Sequence, residues 1–342
     1  MSSTPFVLIS GATGFIGAET LHQALAKGYR TRATVRKEAQ VAPLKARHPD
    51  AGDRLEVVVV PQLENAAAIA KALDGGITHI LHIASPMPAD GDVDLQTGYI
   101  EPAVKSTVAV LDAAKSVPSV KRIIITSSCL SLAPLDSYFT PGYVFREGAN
   151  RSITVDLNAP LPPPPATEAI KYHISKILSH RATLDWVDEA NKNTAGTPIP
   201  EIITVHPFYV IGHDRTQSGP ADAHGVNKIY LGSLMSPAPF VSSSLVDVRD
   251  VAAIHVGAIT ATNLQPAGQV TEVIAKGATV SWEEIIALVK EKYPKFPLKL
   301  EGSGPFPVPY NADTTRALKD FGLKEFHAPL DTVAALMDQN YA

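Results

Sequence analysis

The chain has a single cysteine, Cys129, among 342 residues, so it can form no internal disulfide and fits a reducing compartment. No apolar run approaches ~18 residues, which excludes a membrane-spanning helix on length. No charged segment followed by a signal-type apolar stretch opens the chain, so the expected location is the cytoplasm. Excess charge is also missing. A formal net charge of −4 gives no electrostatic reason to expect nucleic acid, and 45% hydrophobic against 19% charged residues excludes a disordered chain. The histidines include no helix-spaced pair bracketing a glutamate, and His79 and His82, three apart in a strand pattern, point to opposite faces; no metal is expected. A Gly-x-Ser-x-Gly elbow, a phosphate loop ending in Lys-Ser/Thr and a solenoid repeat are all absent, which argues against an esterase, a P-loop enzyme and a repeat protein.

What is present is organised around Ser10-Gly11-Ala12-Thr13-Gly14-Phe15-Ile16-Gly17. The preceding Phe6-Val7-Leu8-Ile9 reads as a buried parallel strand, and 18–25 continues as a helix. Gly11 permits a tight turn off the strand, Gly14 lets the backbone approach a pyrophosphate, and Gly17 lets the helix pack closely. The helix N-terminus adds free N–H groups and a positive dipole end, so a dinucleotide is expected there. Strand patterns at 31–35, 54–60, 77–83 and 121–126 alternate with helical patterns at 66–73 and 100–116. Repeated β-α-β units of this length specify an α/β fold, a Rossmann-type doubly wound parallel sheet.

Residues 128–166 break that rhythm and end in Pro160-Leu161-Pro162-Pro163-Pro164-Pro165, read as a stiff approach to the next helix rather than a ligand for a partner's aromatic groove. A long helix over 167–191 and a strand over 201–205 follow. Beyond Pro207, short irregular segments mark a smaller C-terminal α+β lobe. The expected division is a dinucleotide-binding domain over 1–206, with return segments at about 245–275, and a mainly substrate-binding lobe over 207–342. Asp250 is a candidate to cap, or to complement the dipole of, a helix opening in Val246-Asp247-Val248-Arg249-Asp250, 269–275 can add a strand, and Ser281-Trp282-Glu283-Glu284 has the cap and early acids of a helix start.

Tyr172 and Lys176 stand one helical turn apart on the long helix and share a face. A phenol with pKa near ~10 is a poor acid or base at neutral pH, and a neighbouring ammonium favours the phenolate and lowers that value. The pair can then exchange a proton with a substrate oxygen. Alone, such a pair is more often a surface contact. Its company is different, because Thr126-Ser127-Ser128 ends a strand of the same sheet as the glycine turn, and strand C-termini are where such sheets hold ligands. Ser128 is a candidate to hydrogen-bond the reacting oxygen.

Together these residues resemble the short-chain dehydrogenase/reductases, and the length resembles their extended branch. Closer resemblance is to the dihydroflavonol reductases, cinnamoyl-CoA reductases and fungal and yeast aldehyde or ketone reductases. It is carried by the glycine turn, Ala33-Thr34-Val35-Arg36, Leu81-His82-Ile83-Ala84-Ser85-Pro86, Thr126-Ser127-Ser128, Tyr172-His173-Ile174-Ser175-Lys176, His206-Pro207 with Val210-Ile211-Gly212, and Val246-Asp247-Val248-Arg249-Asp250-Val251-Ala252. The resemblance implies that Tyr172 donates the proton to a carbonyl oxygen, Lys176 lowers its pKa and holds the nicotinamide ribose, and Ser128, at the end of the serine run, orients the carbonyl; Ser127 is the fallback. It also implies cofactor contacts from Gly11, Thr13, Gly14, Phe15, Ile16, Gly17, Gln62, Leu63, Ala84, Ser85, Pro86, Tyr172, Lys176, Pro207 and Val210. After the second strand an acid would hold the ribose hydroxyls of NAD, whereas an arginine accommodates the extra phosphate of NADP. Arg36 and Lys37 stand there, with Arg32 adding charge nearby, so NADPH is the expected cofactor. Two departures are visible: Gln62 where many relatives have an acid near the adenine, and Ser106 where relatives often have glycine near the nicotinamide.

Ser128, Cys129, Leu130, Ser131, Leu132, Tyr138, Phe139, Phe208 and Tyr209 are candidates to line a largely apolar cleft between the lobes, with Cys129 as a packing residue. The expected activity is NADPH-dependent reduction of an apolar aldehyde or ketone to the alcohol, by a monomer or a homodimer pairing helices 100–116 and 167–191. Two other readings stand beside it. One is a sugar-nucleotide epimerase or dehydratase with tightly bound NAD, against which Arg36 argues; the other is a non-catalytic NADP-sensing regulator, which the presence of Ser128, Tyr172 and Lys176 makes unnecessary.

Overall fold

A computed structural model of the chain describes residues 4–86, 93–137, 140, 142–163, 166–193, 199–219, 222–304 and 310–341. Its strands β1 (Phe6–Ser10), β2 (Arg30–Val35), β3 (Leu55–Val59), β4 (His79–His82), β5 (Arg122–Thr126), β6 (Glu201–Pro207) and β7 (Val270–Ala275) form one seven-stranded sheet in the order β3-β2-β1-β4-β5-β6-β7. Every pairing is parallel. This is a Rossmann-like α/β fold, and the order of strands reverses between β1 and β4, the switch point at which such sheets open a ligand crevice.

β1 and β5 read as near-continuous apolar runs because both faces of the sheet are covered. Successive side chains alternate: Val7, Ile9, Leu81, Ile124 and Ile203 join one buried cluster, and Phe6, Leu8, Ile80, Ile123 and Ile202 join another. The first cluster is closed by Leu21 and Leu25 of α1 (Phe15–Ala26) and by Val251 and Ile254 of α7 (Val248–Ala258). The second is closed by Ile69 of α3 (Ala66–Ala72), Val110 and Leu111 of α4 (Glu101–Lys115) and Val187 of α5 (Ala166–Asn193). Each fully buried leucine or isoleucine contributes about 1.5–3 kcal/mol. A short helix, α2 (Val41–Ala46), follows β2.

Helix α7 packs against α1. Of the two roles expected for Asp250, the cap falls to Asp247, which accepts the Arg249 amide at 2.8 Å, while Asp250 stands in the first turn, where an acid complements the dipole. Three residues on from the cap, Asp250 accepts from the amide of His327 at 2.8 Å and faces the His327 ring at 2.6 Å, on the chain before α10 (Pro329–Tyr341). Arg122 of β5 reaches the other end of α7 and donates to the carbonyls of Ala258 and Ile259 at 2.6 and 2.9 Å. A separate core gathers Tyr230 of α6 (Gly225–Leu234), Trp282 and Val289 of α8 (Trp282–Lys292), and Val333 and Leu336 of α10. Ser281 and Glu284 form the reciprocal cap that their spacing specifies. Ala317 of α9 (Thr315–Asp320) and the adjacent Phe321 join the cluster beneath α7.

Two measurements test this packing. A Cβ on Gly257 would lie 1.9 Å from the carbonyl oxygen of Phe321, a backbone atom that cannot rotate away. Gly257→Ala is therefore expected to lower stability by about 1–3 kcal/mol in chemical denaturation; an unchanged midpoint would contradict the contact. Burial also holds the pKa of His79, His82 and His255 down to about 4 and that of His206 to about 3. The unfolded chain, with histidines near ~6.5, binds more protons below that pH, so stability is expected to fall on acidification from about pH 6.5 to about pH 4, by at most ~1.4 kcal/mol per pH unit per histidine. A denaturation midpoint unchanged between about pH 7.5 and pH 5 would contradict it.

Candidate active site

Parallel pairing puts the residues that follow β1, β2, β4, β5 and β6 along one edge of the sheet. At the first of these, Gly11 has φ of +77°, and a Cβ there would meet the amide nitrogen of Ala84 at 2.7 Å. A Cβ on Gly17 would fall 2.0 Å from the Gly11 carbonyl oxygen, so α1 can approach the turn this closely only with glycine. Gly14 is different: its added Cβ would meet nothing nearer than the Gly11 oxygen at 3.5 Å, and the space beside it is open. No side chain caps α1, whose cap residue is Gly14. Behind the turn, Ser10 Oγ lies 2.9 Å from His82 Nδ1 and accepts the Ala84 amide at 3.3 Å, tying β1 to β4. Thr13 is half-buried, and Phe15 and Ile16 pack on the core.

Arg36 and Lys37, directly after β2, are exposed, and neither enters an ion pair among the described residues. Their amides both donate to Gln40 Oε1 at 3.1 Å. Arg32 is not a companion charge. Its guanidinium bonds Glu56 at 2.6 Å and the Ala72 carbonyl at 2.8 Å, because its partner across β2 and β3 is Glu56. Gln62 is exposed, and Leu63 packs on the second core cluster. Ser106 is buried with its hydroxyl turned back to the Ala103 carbonyl at 3.3 Å.

After β5, Ser128 caps a short turn over Cys129–Leu132 and is buried; its hydroxyl accepts the Leu130 amide at 3.3 Å. Ser127 is otherwise engaged, donating to Ser131 Oγ at 3.1 Å. The turn packs on α5, and Cys129, Leu130, Leu132 and Phe208 form one apolar cluster against which Tyr172 lies. Tyr209 is close enough for its charge state to feel that of Tyr172. The Lys176 ammonium donates to Ser85 Oγ at 2.9 Å, which joins α5 to the loop after β4. Pro207 ends β6, and Val210 is buried just beyond it. Tyr138, Phe139 and the last two prolines of the run, Pro164 and Pro165, lie outside the described residues.

Electrostatics correct one expectation. Tyr172 is not shifted toward the phenolate. Its ring is only partly covered, yet burial of the hydroxyl, with the neighbouring Cys129 as a lesser cause, pushes its pKa up to about 12. Lys176 sits 5.2 Å from the tyrosine ring centroid and is itself lowered to about 8 by burial, so desolvation of both groups outweighs their attraction. The result is a phenol that stays protonated. Burial also takes the Cys129 thiol up to about 12, which makes it inert.

Some contacts between neighbours had no sequence signal. Phe145 and Tyr310 share the apolar cluster with Cys129 and Phe208, though 165 residues apart; a two-residue strand at Val144–Phe145 pairs with Asn311–Ala312 next to Tyr310. His180 of α5, His206 of β6 and Glu272 of β7 also converge, with one ligand-capable atom from each all within 4.8 Å of one another and all three buried. Their separation in sequence, not their residue types, hid them.

Residues 7–273 match the family described as NAD dependent epimerase/dehydratase. Ketoreductase sphI of Aspergillus fumigatus is 31% identical over 296 residues, covering 84% of each chain. Among solved structures, yeast methylglyoxal/isovaleraldehyde reductase Gre2 complexed with NADPH aligns with a TM-score of 0.77 at 21% identity, over 98% of this chain and 97% of that one. Vestitone reductase from alfalfa aligns at 0.71 and 20% identity, over 97% of both. At those identities the structural likeness speaks for the fold. With the family match over most of its length and a curated relative across 84% of it, the chain belongs to the NAD dependent epimerase/dehydratase family, the extended short-chain dehydrogenase/reductases.

Proposed function

We propose that this protein is an oxidoreductase that reduces an apolar aldehyde or ketone to the alcohol with NADPH. The observation that carries the reading is Tyr172, a protonated phenol one helical turn from Lys176, lying against the strand-end turn that Ser128 caps, in a chain 31% identical to a ketoreductase. The open space beside Gly14, the α1 N-terminus without a side-chain cap, and Arg36 and Lys37, in no ion pair among the described residues, suit a dinucleotide bearing an extra phosphate. When bound, NADPH supplies the hydride. Tyr172 gives its proton to the carbonyl oxygen, which a raised pKa permits throughout the neutral range. Ser128 donates a hydrogen bond to the same oxygen as negative charge develops there. Lys176 holds the ribose and supplies positive charge beside the phenol. Cys129, Leu130, Phe208 and Tyr209 make the surroundings apolar.

The setting we propose is a cytoplasmic monomer or homodimer acting on a small molecule; no helix among the described residues is long and apolar enough to cross a membrane. The division of labour proposed is 1–206 with 245–275 for the dinucleotide and the rest of 207–342 for the substrate. An epimerase holding NAD tightly would leave Arg36 and Lys37 without a purpose.

NADPH oxidation against a panel of aromatic aldehydes, diketones and ketoesters is the direct assay, and Tyr172→Phe is expected to lose about 10²–10⁴-fold in kcat. No turnover by wild type, or full activity in the variant, would contradict the reading. Arg36→Ala is expected to weaken NADPH about 10–100-fold and leave NADH unchanged, the loss of a charge-assisted phosphate contact. Equal effects on both cofactors would reassign that residue. With Lys176 near 8 and Tyr172 near 12, reduction is expected to be level below about pH 8 and to fall above it as the lysine loses its charge. A rate that rises through that range would contradict the assignment.

A further inference from the structure

The carbonyl oxygen of Ser128 is held by three donors. The Ser131 amide reaches it at 3.0 Å, the Ser131 hydroxyl at 2.7 Å, and His206 Nδ1 lies 3.1 Å away. A carbonyl can only accept, so Nδ1 carries the ring proton and also faces Ser131 Oγ at 2.9 Å. His206 Nε2 then accepts from the Thr204 hydroxyl at 2.8 Å. Both ring nitrogens are used, and the imidazole is neutral and fully buried.

The ring is steadied from its far side. His180 packs edge-on to it, with centroids 4.7 Å apart, and His180 Nε2 lies 2.7 Å from Glu272 Oε1. The other oxygen of Glu272 accepts the Gly148 amide. Asn150 donates to the carbonyls of Ser131 and Ile177 at 2.7 and 3.0 Å, so the turn after Ser128 and the stretch of α5 next to Lys176 share one support. With both His206 nitrogens and both Glu272 oxygens engaged, the group forms a hydrogen-bond relay.

We infer that His206 is a positioning residue, which fixes the backbone of Ser128 through its Nδ1–H and so aims the serine hydroxyl at the reacting carbonyl. The inference rests on the reading of Ser128 as the residue that orients that carbonyl. Two donors remain on the Ser128 oxygen when His206 is lost, so the turn keeps its fold while its aim loosens. Small misplacements of this kind cost up to about 100-fold in rate.

The test pairs two substitutions with a double-mutant cycle. His206→Leu removes the donor, whereas the amide nitrogen of His206→Asn restores one near Nδ1. His206→Leu is expected to lower kcat about 10–100-fold, with the carbonyl KM and NADPH affinity within about threefold of wild type, and His206→Asn to recover most of the loss. In the Ser128→Ala background His206→Leu is expected to cost less than about threefold more, because the residue acts through the missing hydroxyl. Unchanged kcat in His206→Leu, or the same loss repeated in the Ser128→Ala background, overturns the inference. Should His206→Leu not fold, Thr204→Val strips only the hydroxyl that selects the tautomer; a several-fold lower kcat that vanishes in the Ser128→Ala background supports the inference, and an unchanged kcat overturns it. A wild type that oxidises no NADPH, or a fully active Ser128→Ala, defeats the parent reading instead.

Discussion

Three stretches of main chain meet at Gly11 with no room for a single added carbon. The turn after β1 touches the loop after β4 on one side and the first turn of α1 on the other, where a Cβ on Gly17 would come within 2.0 Å of the Gly11 oxygen. This contact sets where α1 begins and how near it lies to the switch between β1 and β4. It also keeps side chains away from the α1 N-terminus, whose amides are then left for an anion. The loop after β4 is in turn the one that Ser85 uses to receive Lys176, so the position of α5 at this edge depends on the same packed junction.

Burial then decides the chemistry. Removing water from one small region raises Tyr172, lowers Lys176 and keeps His206 neutral. Each shift disfavours a charged form, and the three together turn the site toward proton donation: a phenol that keeps its proton, a lysine close to its titration range, and an imidazole that can serve only as an oriented donor and acceptor.

Much of this was legible in the sequence because it is local. A strand covered on both faces reads as an unbroken apolar run, a glycine spacing reads as a turn, and the four-residue step from Tyr172 to Lys176 makes one helical turn. What stayed hidden needs contacts between distant segments. Nothing near Arg32 foretells that Glu56 will face it across two strands, and the choice of Asp247 over Asp250 as a cap depends on where β-structure stops, which pattern reading locates only to within a few residues. The raised pKa of Tyr172 was misread for the same reason: spacing reveals the lysine but not the loss of water around both groups. His206 was visible as a neighbour of Pro207, whereas its bond to the Ser128 carbonyl spans 78 residues.

The central claim is that hydride passes from NADPH to a carbonyl carbon of an external substrate. The most direct measurement supplies NADPH deuterated at its transferable position and traces the label in the product by mass spectrometry. The account requires one deuterium on the new carbinol carbon for each NADPH consumed. Unlabelled product, or an isomerised sugar nucleotide formed with no net oxidation of NADPH, would contradict it.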